Sequence, residues 1–150
     1  MKTIKTVVTA ACMTAALSNF ASAGEAAKAP VITNYDKRLL DTAPESVIEN
    51  ESYMKVIEPK GAKAKGLRVF ESTDGKLSSD FAEYEKVTLK LKDWPIDEYM
   101  YIIEGELKIS DEQGNTKIYG PGDSFMMPKG FSGTWQVLSK LKKITVNYER

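Results

Sequence analysis

The region from Leu67 to the end of the chain contains about eight short runs of β-branched and aromatic residues, separated by turn-forming residues roughly every ten positions. Within the runs, apolar and polar residues alternate, as in "KVTLKL", which begins at Lys86. Such alternation is typical of strands with one buried face. Short antiparallel strands tend to close on themselves because closure removes exposed sheet edges. The sequence therefore predicts an all-β fold, with a single jelly-roll β-barrel over residues 67–150.

The first 23 residues have the pattern of a signal peptide. Lys2 and Lys5 precede a run of apolar and small residues, which ends in Ala-Ser-Ala, and we predict cleavage after Ala23. The run is shorter than the ~20 apolar residues that a membrane span needs, so no stable membrane anchor is expected. A lipid anchor at Cys12 is the minor alternative. These features predict a periplasmic or secreted protein.

Residues 24–66 show no sustained hydrophobic period. Weak helical patterns near Leu39 and near Val47 predict one or two short helical turns, and residues 60–66 form a segment rich in Gly, Ala and Lys. We interpret residues 24–66 as an irregular N-terminal extension and linker.

The charge balance and the missing residue types exclude several functions. The chain has 21 basic and 21 acidic residues, so nothing draws it to nucleic acid. It has no histidine, and its single cysteine lies in the predicted signal peptide. Zinc, copper and non-haem iron sites depend mainly on Cys and His, as do most nucleophilic dyads and triads. Such sites are not expected in the mature protein.

Two spaced motifs stand in the second half of the chain. In "EYMYIIEG", Glu98 is followed by six residues and Gly105, and in "GDSFMMPKG", Gly122 is followed by five residues and Pro128-x-Gly130. With these spacings the chain resembles the cupins. It is most similar to the branch that includes the (S)-ureidoglycine aminohydrolase cupin domain and ethanolamine-utilisation relatives. The resemblance covers about residues 86–148 and implies a cupin barrel.

The metal ligands of the cupins do not carry over. The family binds metal through a His-x-His pair, a glutamate and a further histidine, and in this chain only Glu98 fills such a position. The histidine positions hold other residues: Leu91 and Asp93, or Lys92 and Trp94, according to the spacer counted, and Gly133. We therefore predict no metal and no cofactor. A hard divalent cation is the alternative, and it would need Asp93 to turn inward.

The resemblance also implies a binding pocket. If Glu98 points into the barrel, the residues two and four positions later point inward as well. The second motif and the two tryptophans complete an aromatic and sulfur-containing pocket with one acid. The predicted ligand-binding residues are Glu98, Met100, Ile102, Phe125, Met127, Trp135 and Trp94.

Glu98 itself has two interpretations. As a structural carboxylate it would pair with a cation such as Arg68, Lys90 or Lys143, of which Lys143 stands where close relatives carry a basic residue. As a functional residue it would anchor a ligand or act as the catalytic general acid or base. Glu98 and the two tryptophans could also form a cage for an amine.

The residues between these inward positions face the other side of the strand. Tyr99, Tyr101 and Ile103 make that outer face apolar as well, so we expect the N-terminal segment or a second subunit to cover it. Since many cupins are dimers, a homodimer is predicted.

Three functions remain open. The first is an exported, metal-free cupin that binds a sugar-, amine- or ureide-like small molecule. The second is an enzyme related to (S)-ureidoglycine aminohydrolase, or another cupin hydrolase or isomerase, that acts through Glu98. The third is a non-catalytic structural dimer whose pocket is filled by its own side chains.

Overall fold

A computed structural model describes residues 31–36 and 38–150 of the chain. In this part the chain forms eleven strands and one short helix. The strands make two antiparallel sheets, which confirms the predicted all-β jelly-roll barrel. The predicted signal peptide, residues 1–23, lies outside the described residues. No helix in the described part is long and apolar enough to cross a bilayer.

The elements are α1 (Leu39–Thr42), β1 (Glu45–Val47), β2 (Met54–Glu58), β3 (Lys63–Glu71), β4 (Leu77–Tyr84), β5 (Val87–Leu91), β6 (Asp97–Glu104), β7 (Leu107–Asp111), β8 (Thr116–Tyr119), β9 (Ser124–Met127), β10 (Gly133–Val137) and β11 (Leu141–Tyr148). The six-stranded sheet has the order β1-β3-β4-β11-β6-β9. The five-stranded sheet has the order β2-β5-β10-β7-β8.

The two sheets enclose the main core. On the central strand β11, inward residues are buried and alternate with partly exposed ones, as the two-residue period of a strand requires. The turn between β6 and β7 depends on Gly105, whose φ is +83° and whose Cα faces the backbone of Lys140. A side chain there would be strained and would collide with that backbone.

The N-terminal segment covers part of the outer face of the six-stranded sheet. Leu40 of α1 and Ala43 pack with Phe81 of β4, and Ile103 and Ile144 border this second, smaller core. The expectation that the N-terminal segment covers the outer face is therefore met over this part of the sheet. Farther from α1 the same face carries exposed apolar side chains.

The structure differs from the prediction for residues 45–66. We expected irregular structure there, but β1, β2 and the first residues of β3 belong to the two sheets. The predicted boundary before Leu67 thus falls inside β3. The helical turn near Leu39 is present as α1, whereas Val47 lies in a strand, because β1 pairs with β3. Tertiary pairing here overrides a weak local pattern.

Candidate functional site

A buried ion pair lies at the centre of the barrel. The ammonium of Lys143 on β11 donates a hydrogen bond to Oε1 of Glu98 on β6, with Nζ and Oε1 3.0 Å apart. Glu98 is 2% exposed and Lys143 is 4% exposed. Lys143 is opposite Ile102 in the sheet register, four positions from Glu98, so its side chain runs along the inner face to reach the carboxylate. On this path Nζ lies 3.6 Å from Sδ of Met100.

Two aromatic rings flank the same ammonium. Nζ of Lys143 lies 5.5 Å from the ring centroid of Tyr84 and 5.4 Å from that of Trp135, within the range of a cation–π contact. The two rings pack edge to face, with centroids 5.1 Å apart. Burial, and secondarily the charge of Glu98, raises the pKa of the Tyr84 phenol. Glu98 and Trp135, two of the three residues that the sequence suggested as a cage for a ligand's amine, therefore contact the protein's own ammonium, and Tyr84 takes the place predicted for Trp94.

A small cavity adjoins the pair. Its walls come from both sheets and are mainly aromatic, aliphatic and thioether side chains: Met54, Tyr84, Leu89, Leu91, Trp94, Glu98, Met100, Met127, Trp135 and Lys143. The cavity has a volume of about 20 Å³. This is room for about one or two water molecules, or for a compact molecule of up to about three heavy atoms.

Several polar atoms in these walls have no hydrogen-bond partner. Within the described part of the chain, four buried side-chain nitrogen or oxygen atoms are unpaired, and three of them belong to residues of the cavity wall. They are Nε1 of Trp94, Nε1 of Trp135 and Oε2 of Glu98. The residues of the wall thus carry two N–H donors and one carboxylate oxygen that have no hydrogen-bond partner within the described part of the protein.

The structure brings most of the predicted site residues together. Glu98 and four of its predicted neighbours line the cavity: Met100, Met127, Trp94 and Trp135. Ile102 is fully buried but lies outside the cavity wall, in the core. Phe125 is partly buried and stacks on Tyr119, with ring centroids 4.1 Å apart. The binding role of these residues remains a prediction.

Sequence reasoning missed part of the wall. Met54 was assigned to the irregular extension, and Tyr84 was not considered as a site residue. Leu89 and Leu91 were recognised only as alternating strand residues. The signal for all four was the two-residue period of β2, β4 and β5, in which their positions are buried.

The residues present do not fit a transition metal. Leu91 and Trp94, one from each of the two possible placements of the family's His-x-His pair, are buried in the cavity wall and offer no metal ligand. Asp93 is exposed, with φ of +51°, so it does not turn inward. Within residues 31–36 and 38–150 no three side chains of the types His, Cys, Asp and Glu cluster. Lys143 supplies the positive charge beside Glu98.

Comparison with solved structures identifies the fold. The EutQ protein of Clostridium difficile superimposes with a TM-score of 0.51 at 22% identity, over 59% of this chain and 69% of that one. A putative ethanolamine utilization protein Q of Salmonella typhimurium LT2 gives a TM-score of 0.52 at 19% identity, over 72% and 98%. A DUF861 protein of unknown function from Pseudomonas syringae pv. tomato DC3000 gives 0.61 at 22%, over 70% and 43%. At these identities the likeness shows the fold.

The chain has the cupin fold, as the two-sheet barrel and these neighbours show. Its residues 91–144 match the family model of EutQ-like cupin domains. The matched segment contains Glu98, Trp135 and Lys143. No curated protein sequence matches the chain.

Proposed function

We propose that this chain is an exported cupin that binds a small molecule inside its barrel, without a metal and without converting it. The observation that supports binding is the group of unpaired polar atoms around the cavity. Leaving a buried donor or acceptor unpaired costs about 1–3 kcal/mol, and native proteins keep few such atoms. A polar molecule in the cavity would pair with the indole N–H groups and with Oε2 of Glu98.

Catalysis through Glu98 has weaker support. One carboxylate oxygen accepts the hydrogen bond of Lys143, and only Oε2 is free to exchange a proton with a substrate. A hydrolase or isomerase of the cupin type would also need to activate water or a substrate oxygen, and the donor set here does not fit a metal for that task. We therefore favour binding over an activity related to (S)-ureidoglycine aminohydrolase.

Export rests on the sequence of residues 1–23. In an oxidising compartment many small proteins rely on disulfides, but cleavage after Ala23 would leave this one without any cysteine. We expect the mature protein to be recovered from the periplasm or the medium with Gly24 as its first residue. N-terminal sequencing of the exported protein tests this, and an intact N-terminus on protein confined to the cytoplasm would contradict it.

Native mass spectrometry tests the binding proposal. We expect the protein, measured in solutions that contain millimolar small polar molecules, to carry a non-covalent adduct that is lost on unfolding. Elemental analysis should find no stoichiometric transition metal. The variant Leu89→Phe, which places a larger side chain in the cavity wall, should carry less adduct while retaining its circular dichroism spectrum. Leu67→Phe is the control and should keep the adduct, because Leu67 lies on the outer face of the six-stranded sheet, which points away from the cavity. Stoichiometric metal, or an adduct unaffected by filling the cavity, would argue against this function.

A structural homodimer is the second candidate, and one observation favours it. The outer face of the six-stranded sheet carries exposed large apolar side chains away from α1: Phe70, Leu77, Tyr101, Met126 and Tyr148. The register joins them across the sheet, with Leu77 beside Tyr148 and Tyr101 two positions from the partner of Met126. Contiguous apolar faces of this kind commonly mark protein interfaces. A second copy of the chain is the proposed occupant.

Light scattering after size-exclusion chromatography tests the dimer. We expect the mass of a dimer for the wild-type protein and of a monomer for Met126→Lys. Ile118→Lys replaces an equally exposed apolar residue on the five-stranded sheet and should leave the dimer intact. A wild-type monomer at high protein concentration would refute this assignment.

A further inference from the structure

We propose that the Glu98–Lys143 pair makes the cavity selective for neutral polar molecules of up to about three heavy atoms, and that it rejects cations and anions alike. The inference rests on the proposed binding function and specifies the chemical class of the bound molecule. It follows from the charge, the free hydrogen-bonding atoms and the size of the cavity.

The charge of the cavity is balanced before anything binds. Glu98 and Lys143 are both buried, form one hydrogen-bonded pair and carry opposite charges. The rest of the wall consists of uncharged side chains. An added ion would leave a net charge in this largely apolar space, which is strongly unfavourable without a partner of its own.

Each kind of ion also meets a specific obstacle. A cation would have to displace the ammonium of Lys143 from Glu98 and from the faces of Tyr84 and Trp135, or else lie beside a like charge. An anion would share the cavity with the carboxylate of Glu98, whose second oxygen is unpaired. A neutral molecule meets neither repulsion.

The free atoms define the hydrogen bonds of the bound molecule. The indole N–H groups of Trp94 and Trp135 require an acceptor, and Oε2 of Glu98 requires a donor. A small primary amide has both, and so does a small alcohol. A cavity of about 20 Å³ holds a compact molecule of up to about three heavy atoms, whereas a sugar ring is too large for it.

A matched set of three molecules tests the charge selectivity: formamide, formate and formamidinium. They share a planar three-atom skeleton and differ mainly in charge. The chain has only two tryptophans, and both line the cavity, so its two indole N–H signals in a nitrogen–proton NMR spectrum report on this site alone. A molecule of this size binds with a Kd of about 1 mM at best. Titrations therefore extend through the millimolar range.

We expect formamide to shift both indole signals and to bind at least about tenfold more tightly than either ion, because only the ions introduce an unpaired charge. Equal or tighter binding of formate or formamidinium would overturn the inference. So would the absence of binding by all three. In that last case, an adduct in the native mass spectrum would still support the broader proposal that the barrel binds a small molecule.

Two variants reverse the preference if the pair is the selector. Lys143→Met leaves the carboxylate and the aromatic faces, so formamidinium should now bind most tightly. Glu98→Gln leaves the ammonium, so formate should now bind most tightly. Lys142→Met, on the neighbouring position of β11, should retain the order of the wild-type protein. If circular dichroism shows that either cavity variant is unfolded, the wild-type titrations alone decide the outcome. If a cavity variant is folded and binds the three molecules in the same order of affinity as the wild-type protein, the inference is overturned.

Discussion

Removing the ammonium from the barrel is the most direct test of the ion pair. In Lys143→Met the carboxylate of Glu98 stays buried, 2% exposed, and loses the only hydrogen bond that its side chain makes in the described part of the protein. At 3.0 Å and an effective dielectric constant of about 20, the attraction between the two charges is about 5.5 kcal/mol. Breaking a buried pair by removing one partner costs about 3–5 kcal/mol in measured cases. We expect the free energy of unfolding to fall by that amount.

Denaturant unfolding followed by circular dichroism measures this loss. A domain of this size is stable by about 5–15 kcal/mol. Lys143→Met should therefore unfold at low denaturant concentration, or be largely unfolded before denaturant is added if the wild-type stability is near the lower end of this range. Glu98→Gln should destabilise the protein to a similar extent, since it leaves the ammonium of Lys143 without its charged partner. The double variant, Glu98→Gln with Lys143→Met, should lose less than the sum of the two single variants.

Lys142→Met is the matched control. Lys142 is the next residue on β11, but it points outward, is partly exposed, and pairs with Glu104 at 3.0 Å. Surface pairs of this kind contribute about 0–1 kcal/mol. Two results would contradict a buried ion pair: a loss of stability in Lys143→Met no larger than in Lys142→Met, or additive losses for Glu98→Gln and Lys143→Met. Either result would mean that water reaches the pair.

Three further predictions concern other parts of the molecule. Gly105→Ala should destabilise the protein by more than about 2 kcal/mol, because it adds steric collision to positive-φ strain. Gly114→Ala is the control: its φ is +88° but the space around it is open, so it should cost about 1 kcal/mol. Equal losses in denaturant unfolding would refute the role of the close contact at Gly105. Burial raises the pKa of Tyr84, so above pH ~10 the folded protein retains this proton while the unfolded chain loses it. Above that pH, Tyr84 should lower the free energy of unfolding by about 1.4 kcal/mol per pH unit. If Tyr84→Phe shows the same dependence of stability on pH as the wild-type protein, this prediction is wrong. The guanidinium of Arg150 lowers the pKa of the Asp97 carboxyl. Arg150→Ala should therefore raise that pKa toward its ordinary value in an NMR titration of the carboxyl group. An unchanged titration curve would exclude the contact in solution.

The fold was predictable where local pattern and tertiary pairing agree. From Leu67 onward, alternating strands and glycine-containing turns identify the barrel from the residues alone. β1, β2 and the first residues of β3 were missed because their sequences contain many Lys, Ala, Glu and Gly residues, which have low strand propensity. β3 is nevertheless a nine-residue strand, since its backbone pairs with β1 on one side and with β4 on the other.

The partner of Glu98 shows what the sequence could not decide. Three cations were candidates, and each lies on a strand. Arg68 is exposed and pairs with Glu71 and Asp80, and Lys90 occupies the exposed phase of β5. Lys143 occupies the buried phase of β11, 45 residues from Glu98 in sequence. The choice depends on strand phase and on the register of β11 against β6, neither of which a single sequence fixes.

If the barrel binds a neutral polar molecule, as we propose, the two buried charges serve binding rather than stability. Well-packed apolar residues in place of a buried ion pair are often neutral or stabilising by about 1–4 kcal/mol, because the charges no longer have to be desolvated. We therefore expect Glu98→Leu with Lys143→Met to be at least as stable as the wild-type protein in denaturant unfolding, while its indole signals no longer respond to formamide. A double variant that is less stable by several kcal/mol would show that the pair serves the fold. One that still binds formamide with the wild-type Kd would show that the indole groups alone form the site.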